Sequence, residues 1–484
     1  MIKEAKIRKP KAGLLLVASP RFKNLSGPKR GTYGEKKEVV SRQIVESLNF
    51  IDIEYPGIVY EREDAQRAMD LFFNAKVDFI IAEFLSWSED FAWIRFLRDC
   101  PNIPVIFVNV AKDRMAFETT LDEDDFVEYL CSGTLVGSLE ASGSITRVPR
   151  MNVKIVMGSR EEVNEEIRRF SRAALARTIL RGSNLGLMAN MNEAMWSTYI
   201  DNYDLFTKIG PEIHYLPYSD YKEILDALDE AEVKAYAEEL TSRFKMMEDV
   251  EYDKFIGCVR ASLALKKMAE ANDIDVMVYN DIDQATSMGS GCRAGFYHDW
   301  FNQNLSVLVP EADMGAGLAT FVLKIISGGH VNFIEPFHIE TDFGTFAAGH
   351  AGPNDHNDPA WKDNVLIARD VRFAKTKWKY AGAPFGWYRF SPGMKTVTGI
   401  YEQDGKYKMV CFQAESLPGD HVLATYSHSM FRPVVPVKEL FERLLKIGVT
   451  QHYAIVDGDW RAELADFAEI MGFEFYDIRL LVEW

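Results

Sequence analysis

The strongest constraint on the fold is a regular alternation of short apolar runs with amphipathic stretches before residue 330. Residues 12–19, 77–84 and 103–110 are apolar runs, and helix-like segments separate them. A strand that is apolar on both sides must be covered on both sides, so this order predicts a doubly wound parallel sheet flanked by helices. A second α/β unit is predicted to begin near residues 153–157. The same patterning predicts a strand over residues 57–60 and a helix over residues 192–199.

The pattern changes in the last third of the chain. Residues 378–410 are typical of short strands separated by glycine and proline turns. Asp404-Gly405 lies between the strand-like segments 397–403 and 406–412, which is a hairpin signal. An antiparallel β-barrel or sandwich is therefore expected after the α/β region.

Charge and cysteine content limit the partners and the compartment. The formal net charge is −17, which argues against nucleic acid or an anionic membrane as a partner, because both require a basic face. No apolar run approaches the roughly 20 residues that a membrane-spanning helix needs. The five cysteines form no C-x-x-C pair, which is typical of reduced thiols in a cytoplasmic protein.

Two acids stand where strand-like runs end. Glu311 follows the run 305–309 and Glu335 ends the run 331–334, so both carboxylates are expected to point into one cavity. Eight of the nine histidines lie between His298 and His452. We expect Glu311, Glu335, His350 and His452 to converge, either for proton transfer or to bind a metal. Two carboxylates and two imidazoles without a thiolate suit Mn²⁺, and less well Mg²⁺, Co²⁺ or Fe²⁺.

A structural interpretation of the same residues stays open. Glu311 could cap the helix that begins near Gly315, Glu335 could pair with a lysine, and both histidines could pack in a barrel wall. Ligands of doubly wound sheets bind at the carboxyl ends of strands. Here one such end carries Asn280 and another carries Arg21, so both are expected near a ligand.

Several motifs occur in an order that resembles the L-arabinose isomerase and L-fucose isomerase family. They are Glu311-Ala312-Asp313, Lys324-Ile325-Ile326-Ser327-Gly328-Gly329, Phe333-Ile334-Glu335, Gly349-His350, residues 448–452 and Asp466-Phe467-Ala468-Glu469. Asn190-Met191-Asn192-Glu193 is similar to a family segment that lines the pocket, which implies that Met191 contacts the substrate.

The resemblance implies a fold and an assembly. It implies two Rossmann-like domains, over residues 1–150 and 151–328, and a C-terminal β-barrel domain over residues 329–484. It also implies a Mn²⁺ ion bound by Glu311, Glu335, His350 and His452. The family forms homo-oligomers, hexamers or trimers, whose pockets borrow residues from a neighbouring subunit. Ala18-Ser19-Pro20-Arg21 replaces the polar family signature after the first strand, so altered sugar recognition is expected.

The activity implied is an intramolecular oxidoreduction that interconverts an aldose and a ketose through a cis-enediol. Glu311 and Glu335 would share the acid–base work. One alternative is a metal-dependent epimerase of a sugar or sugar acid, with Arg21 or Lys23 binding a substrate carboxylate. Another is a sugar-binding protein in which two α/β lobes close on the ligand, but this leaves the acids and histidines of the last third unexplained.

Overall fold

The structure, a computed structural model, consists of two compact units, each with its own hydrophobic core. The N-terminal unit is Ile7–Thr178 with Glu469–Gly472, and the C-terminal unit is mainly Ile179–Ala468. No helix among the described residues is both long and apolar enough to cross a membrane. The division into three domains stays a prediction. The described residues are 6–27, 31–111, 123–148, 153–371, 383–423 and 426–479.

The N-terminal unit contains a five-stranded parallel sheet with the order β4-β1-β5-β6-β7. The strands of the N-terminal unit are β1 (Lys11–Val17), β2 (Ser26–Gly27), β3 (Gly31–Thr32), β4 (Asp52–Glu54), β5 (Phe79–Phe84), β6 (Val105–Val110) and β7 (Val153–Gly158), of which β2 and β3 lie outside this sheet. The helices are α1 (Tyr33–Ser47), α2 (Arg62–Ala75), α3 (Phe91–Asp99), α4 (Glu123–Ser132), α5 (Thr134–Ile145) and α6 (Arg160–Arg181). The mixed α/β class with parallel sheets is confirmed.

Two local predictions in this region are wrong. Strand β7, which we expected to open the second α/β unit, pairs in parallel with β6 and completes the first sheet. An apolar run predicts a strand but does not identify its partner. No strand forms over residues 57–60, where Val59 makes only an isolated bridge to Val17.

The C-terminal unit begins with a four-stranded parallel sheet of order β12-β11-β8-β9. Its strands are β8 (Asn184–Met188), β9 (Glu212–Leu216), β11 (Val276–Tyr279) and β12 (Val307–Pro310), and β10 (Lys245–Met246) lies outside it. The helix expected over residues 192–199 is wrong, because only a 3₁₀ turn, Trp196–Thr198, forms there. The Asn192 side chain accepts a hydrogen bond from Ala194 N at 3.0 Å, and such local bonds compete with a helix.

The remaining strands form a closed barrel and a small sheet. They are β13 (Asn332–Glu340), β14 (Thr345–His350), β15 (Val365–Arg369), β16 (Pro384–Tyr388), β17 (Gly393–Gln403), β18 (Lys406–Ser416), β19 (Ser427–Pro433), β20 (Tyr453–Asp457) and β21 (Glu474–Ile478). Six antiparallel strands close in the order β17-β20-β13-β14-β19-β18, and β18 pairs back to β17. Strand β21 adds to β18 in parallel, whereas the small sheet has the order β10-β15-β16, in which β15 pairs with both neighbours. The antiparallel barrel is confirmed.

The predicted hairpin at Asp404-Gly405 is also confirmed. Gln403 lies opposite Lys406 in the β17–β18 register. Asp404 and Gly405 have φ values of 55° and 73°, the left-handed pair that a two-residue hairpin turn requires.

The helices after α6 are α7 (Asn202–Asp204), α8 (Tyr218–Asp226), α9 (Glu230–Arg243), α10 (Tyr252–Ala271), α11 (Gln284–Ser290), α12 (Trp300–Gln303), α13 (Met314–Ser327), α14 (Val437–Ile447) and α15 (Arg461–Met471).

Helix α13 joins the parallel sheet to the barrel. A Cβ on Gly315 would lie 2.3 Å from Ile400 O of β17, and one on Gly317 would lie 2.7 Å from Val278 Cγ1 of β11. Glycine therefore allows α13 to pack closely on both sides.

A buried charged network anchors the end of α13. The Lys324 side chain is 3% exposed and donates to Asn302, which in turn donates to Asp355 Oδ1 at 3.2 Å. Asp355 Oδ2 lies 2.7 Å from His330 Nδ1. Burial acts to raise the pKa of Asp355, but His330 and Lys324 hold it well below its usual range. This carboxylate therefore compensates a buried ammonium and an imidazolium.

Replacing Asp355 with asparagine should lower the free energy of unfolding by about 3 kcal/mol, because it leaves the charge of Lys324 buried without its counter-charge. Urea unfolding monitored by circular dichroism would measure this change. Asp363→Asn is the matched control, because Asp363 is exposed. Equal midpoints for the two variants would contradict the assigned role of Asp355.

The His330–Asp355 pair also predicts how stability changes with pH. Burial acts to lower the pKa of His330, but its bond to Asp355 raises it overall. The contribution of His330 is therefore complete below the unfolded pKa of about 6.5 and disappears as the pH rises through the raised folded value. The difference in unfolding free energy between wild type and His330→Gln should shrink as the pH rises from about 6 to about 9. A constant difference would show that protonation of His330 does not matter.

Candidate metal centre

The site is built on a strained turn at the end of β12. Glu311 and Ala312 have φ values of 60° and 52°, a region that side chains other than glycine rarely adopt. Three hydrogen bonds hold this turn: Glu311 N donates to Asp281 Oδ1 at 2.9 Å, Ala312 N donates to Tyr279 O at 3.1 Å, and Asn192 Nδ2 donates to Glu311 O at 2.9 Å. Backbone strain persists where surrounding contacts fix the conformation in this way.

Asp313 connects the start of α13 to a histidine of the site. Its Oδ1 accepts a hydrogen bond from Ala316 N at 2.8 Å and so caps the helix. Its Oδ2 lies 2.8 Å from His452 Nδ1, just before strand β20. The alternative in which Glu311 caps this helix is therefore wrong, because Asp313 is the cap residue.

Neighbouring barrel strands bring Glu335 and His350 together. Glu335 on β13 lies opposite Gly349 on β14, so it is next to His350 in the register. A Cβ on Gly349 would lie 1.9 Å from Ser427 O of β19. Glycine at this position therefore allows β19 to approach the strand that carries the histidine.

Three of the four side chains chosen from the sequence, Glu311, His350 and His452, form one group, and Glu335 lies beside it. Glu311 Oε1 lies 3.3 Å from His350 Nε2, and Glu311 Oε2 lies 3.1 Å from His452 Nε2. Glu335 Oε1 lies 4.0 Å from His350 Nε2. Ligand atoms of Glu311, His350 and His452 all lie within 4.8 Å of one another, so this buried group can hold a metal ion.

Both imidazoles are oriented as metal-bound histidines usually are. His350 Nδ1 lies 2.6 Å from Ala351 O, and His452 Nδ1 is bonded to Asp313, so each ring has one nitrogen engaged. The two Nε2 atoms are buried, face Glu311 and have no hydrogen-bond partner. A buried polar atom without a partner is destabilising, and a divalent cation would satisfy both atoms at once. The residues present therefore fit a metal ion.

The electrostatics are those of a carboxylate between two bases. Burial acts to raise the pKa of Glu311, but His350 and His452 hold it well below its usual range. Burial acts to lower the pKa of His452, but the carboxylates of Asp313 and Glu311 raise it to about 10. Negative charge thus dominates around these imidazoles and favours a bound cation, which can take the place of the protons.

A second buried cluster of charged side chains contacts the turn at Glu311 and Ala312 through Asp281. Asp281, which accepts from Glu311 N, also binds Arg293, and Arg293 Nη1 lies 3.2 Å from Asp370 Oδ2. Burial raises the pKa of Asp370 to about 7, although Arg293 acts to lower it. Gly352, at φ +94°, packs where a Cβ would lie 2.6 Å from Arg293 Nη2. Neither Arg293 nor Asp370 belongs to a recognisable motif, so sequence patterns do not identify them.

The predicted substrate-contacting residues fall in two places. Met191 is half exposed, and Asn280 Nδ2 donates to Met191 O at 3.3 Å and to Asn190 Oδ1 at 2.6 Å. Both lie at the strand ends that also carry Glu311. Arg21 belongs to the N-terminal unit, where its exposed side chain pairs with Glu89 at 2.6 Å. Contact of these three residues with a substrate stays a prediction.

No protein-family model matches the chain, and no curated protein matches it.

Replacing Asp313 with asparagine should weaken Mn²⁺ binding by about 10-fold to 100-fold, as expected for the partner of a ligating histidine. Asparagine has one carbonyl oxygen, so it cannot both cap α13 and accept from His452 Nδ1–H. Isothermal titration with Mn²⁺ would measure the change. Asp229→Asn is the control, because Asp229 caps α9 through Ala231 N at 2.9 Å and contacts no residue of the site. Equal affinities for both variants would exclude the orienting role.

Proposed function

We propose that this protein is a metal-dependent sugar isomerase that interconverts an aldose and a ketose. The observation that carries the proposal is the pair of buried histidine Nε2 atoms that converge on Glu311 without hydrogen-bond partners. With Glu335 alongside, the donor set is two carboxylates and two imidazoles, which favours Mn²⁺, with Co²⁺ or Mg²⁺ as alternatives.

The chemistry needs stabilised charge and a base. A divalent cation held by these ligands supplies Lewis-acid stabilisation of the negative charge that develops on two adjacent sugar oxygens. A carboxylate must remove the proton from the C–H group at C2 of the aldose and return it at C1, and protons must also move between O1 and O2. The isomerisation therefore requires at least one carboxylate that is not fully engaged by other protein groups.

Glu335 is better placed than Glu311 to act as that base. Each oxygen of Glu311 faces one imidazole, and the lowered pKa makes this carboxylate a weak base. Glu335 approaches only His350, at 4.0 Å, and its side chain is 22% exposed compared with 11% for Glu311. We assign the C–H proton transfer to Glu335 and the cation-holding role mainly to Glu311.

The resemblance to the L-arabinose and L-fucose isomerases supports the reaction class, whereas the altered segment around Arg21 argues for different sugar recognition. In this proposal Met191 and Asn280 contact the sugar from the strand ends beside Glu311. The two parallel sheets are then Rossmann-like, and the protein is a cytoplasmic homo-oligomer, a hexamer or a trimer.

Replacing Glu335 with glutamine should lower turnover by at least about 100-fold while leaving the folded structure intact, because the amide cannot accept the proton. Ketose formation in the presence of Mn²⁺ would be measured for pentoses, hexoses, 6-deoxyhexoses and uronates. Glu340→Gln, on the same strand, is the control and should keep full activity. Near-native turnover of Glu335→Gln would refute the assignment of the base.

The same assay distinguishes the reaction classes. Treatment with EDTA should abolish ketose formation, and Mn²⁺ should restore it. An epimerase of a sugar or sugar acid would exchange the abstracted proton with solvent deuterium and invert the carbon, but would form no ketose. A sugar-binding protein would bind the sugar without any exchange.

A further inference from the structure

The last strand of the N-terminal sheet, β7, carries an exposed apolar face. Ile155 is 57% exposed and Met157 is 60% exposed. They lie opposite Phe107 and Asn109 of β6 in the parallel register, so all four side chains point to the same face of the sheet. Elsewhere this face is buried, and Phe107 packs there against Trp93 of α3 with ring centroids 5.5 Å apart. Parallel sheets normally have both faces covered, so the cover at β7 is incomplete.

Helix α5 covers the neighbouring part of the same face. Asn109 Nδ2 on β6 donates to Ser138 Oγ of the helix at 2.7 Å. Gly137, one residue earlier, packs against the main chain just beyond β5, because a Cβ at that position would clash with Ser86 O. The helix therefore lies over β5 and β6, and β7 is at its side.

The side of α5 that faces β7 is apolar and exposed. Each residue of an α-helix is turned by about 100° from the one before it, so the turn from β5 to β6 continues toward β7 at the next residue, Leu139. Leu135, one turn earlier, shares that side. Leu135 is 49% exposed and Leu139 is 64% exposed. We use the term α5–β7 surface for the surface formed by Leu135, Leu139, Ile155 and Met157.

Both elements have the composition of buried structure. The twelve residues of α5 include one charged residue, Glu140, whereas a surface helix normally carries a charged face. Strand β7 also has one charged residue, Lys154, which points to the opposite face and pairs with Glu166 of α6 at 2.9 Å. The exposed side of each element is therefore suited to contact with another protein surface.

The size of the α5–β7 surface matches one side of a stable dimer interface. Its four residues together expose about 450 Å², within the range of roughly 300–600 Å² for the largest apolar patch on a monomer, which is often functional. A standard interface buries about 800 Å² on each partner, of which about 60% is apolar. The apolar area that such an interface needs is therefore present.

A second copy of this chain is the partner that these features favour. Two chains of net charge −17 repel each other, so they can associate only through a surface without charged side chains, and the four residues have none. Homodimer interfaces are also more apolar than transient ones. A two-fold axis lets each copy place the leucines of α5 on β7 of the other, whereas edge-to-edge pairing of β7 would leave the apolar face exposed.

We propose that the α5–β7 surface is a two-fold interface between two copies of this chain. Leu135 and Leu139 of each copy pack against Ile155 and Met157 of the other. The interface goes beyond the proposed isomerase function, because it depends on neither the metal centre nor the sugar. It requires an even number of subunits and so favours a hexamer over a trimer.

Sedimentation equilibrium of the full chain tests the interface. The wild type should have an even multiple of the chain mass, and Leu139→Glu should weaken association by at least about 100-fold, because each dimer would bury two unpaired carboxylates. Leu139 is exposed in the single chain, so the melting temperature of the dissociated variant should show that it is folded. A monomeric wild type, an odd number of subunits, or a Leu139→Glu variant with the wild-type mass would overturn the proposal.

Phe73→Glu is the matched control. Phe73 lies on α2 of the same unit and is 63% exposed, but it lies outside the α5–β7 surface. This variant should keep the wild-type mass. Equal dissociation of both variants would show that any added surface charge disrupts the assembly, and would contradict the specific role of α5 and β7.

Cross-linking between differently tagged chains shows which surfaces meet. Leu139→Cys chains are mixed with Met157→Cys chains and oxidised, and a disulfide that joins the two tags is expected. A mixture of Phe73→Cys and Met157→Cys chains should give no such product. Equal yields from the two mixtures, or no product from the first, would overturn the proposal. Failure of the isomerase function is distinguishable, since it would show as an inactive wild type that still forms this cross-link.

Discussion

The arrangement depends on one buried carboxylate held between two imidazoles that have no other partner for the facing nitrogen. Each ring of the pair is turned by a bond on its far side, to a main-chain oxygen for His350 and to Asp313 for His452. Without those bonds either ring could flip and lose the geometry. The orientation is therefore fixed by the protein before any ion binds, which is the usual basis of a specific metal site.

The ligands come from distant parts of the chain, and α13 is what relates them. Its first turn is capped by the residue that orients His452, and its glycines pack against both the parallel sheet and the barrel. At its far end, the buried charge of Lys324 is compensated by a network of polar side chains. A change in the packing of this helix would therefore be felt at the site, although no residue of the helix itself is a predicted ligand.

Sequence patterns were sufficient to predict those elements whose conformation is determined by neighbouring residues in the chain. The hairpin at Asp404-Gly405 and the parallel and antiparallel classes follow from turn chemistry and hydrophobic period. The membership of β7 in the first sheet could not be predicted, because pairing is a tertiary choice. Glu311, Glu335, His350 and His452 were predicted from residue type and strand-end position, and three of them form one group. The contacts that hold them, from Asp313 to His452 and from Asp281 to Glu311, depend on side-chain packing between segments far apart in sequence, which no spacing rule encodes.

The left-handed turn at Glu311 and Ala312 sets local stability against function. Glycine would relax the backbone at either position, by about 1 kcal/mol or more, but at Glu311 it would also remove the ligand. At position 311, selection for stability therefore favours glycine, whereas selection for activity favours glutamate. Over evolutionary time such a turn can be retained only while the chemistry is needed, and drift to glycine there would be an early sign that a descendant has lost it.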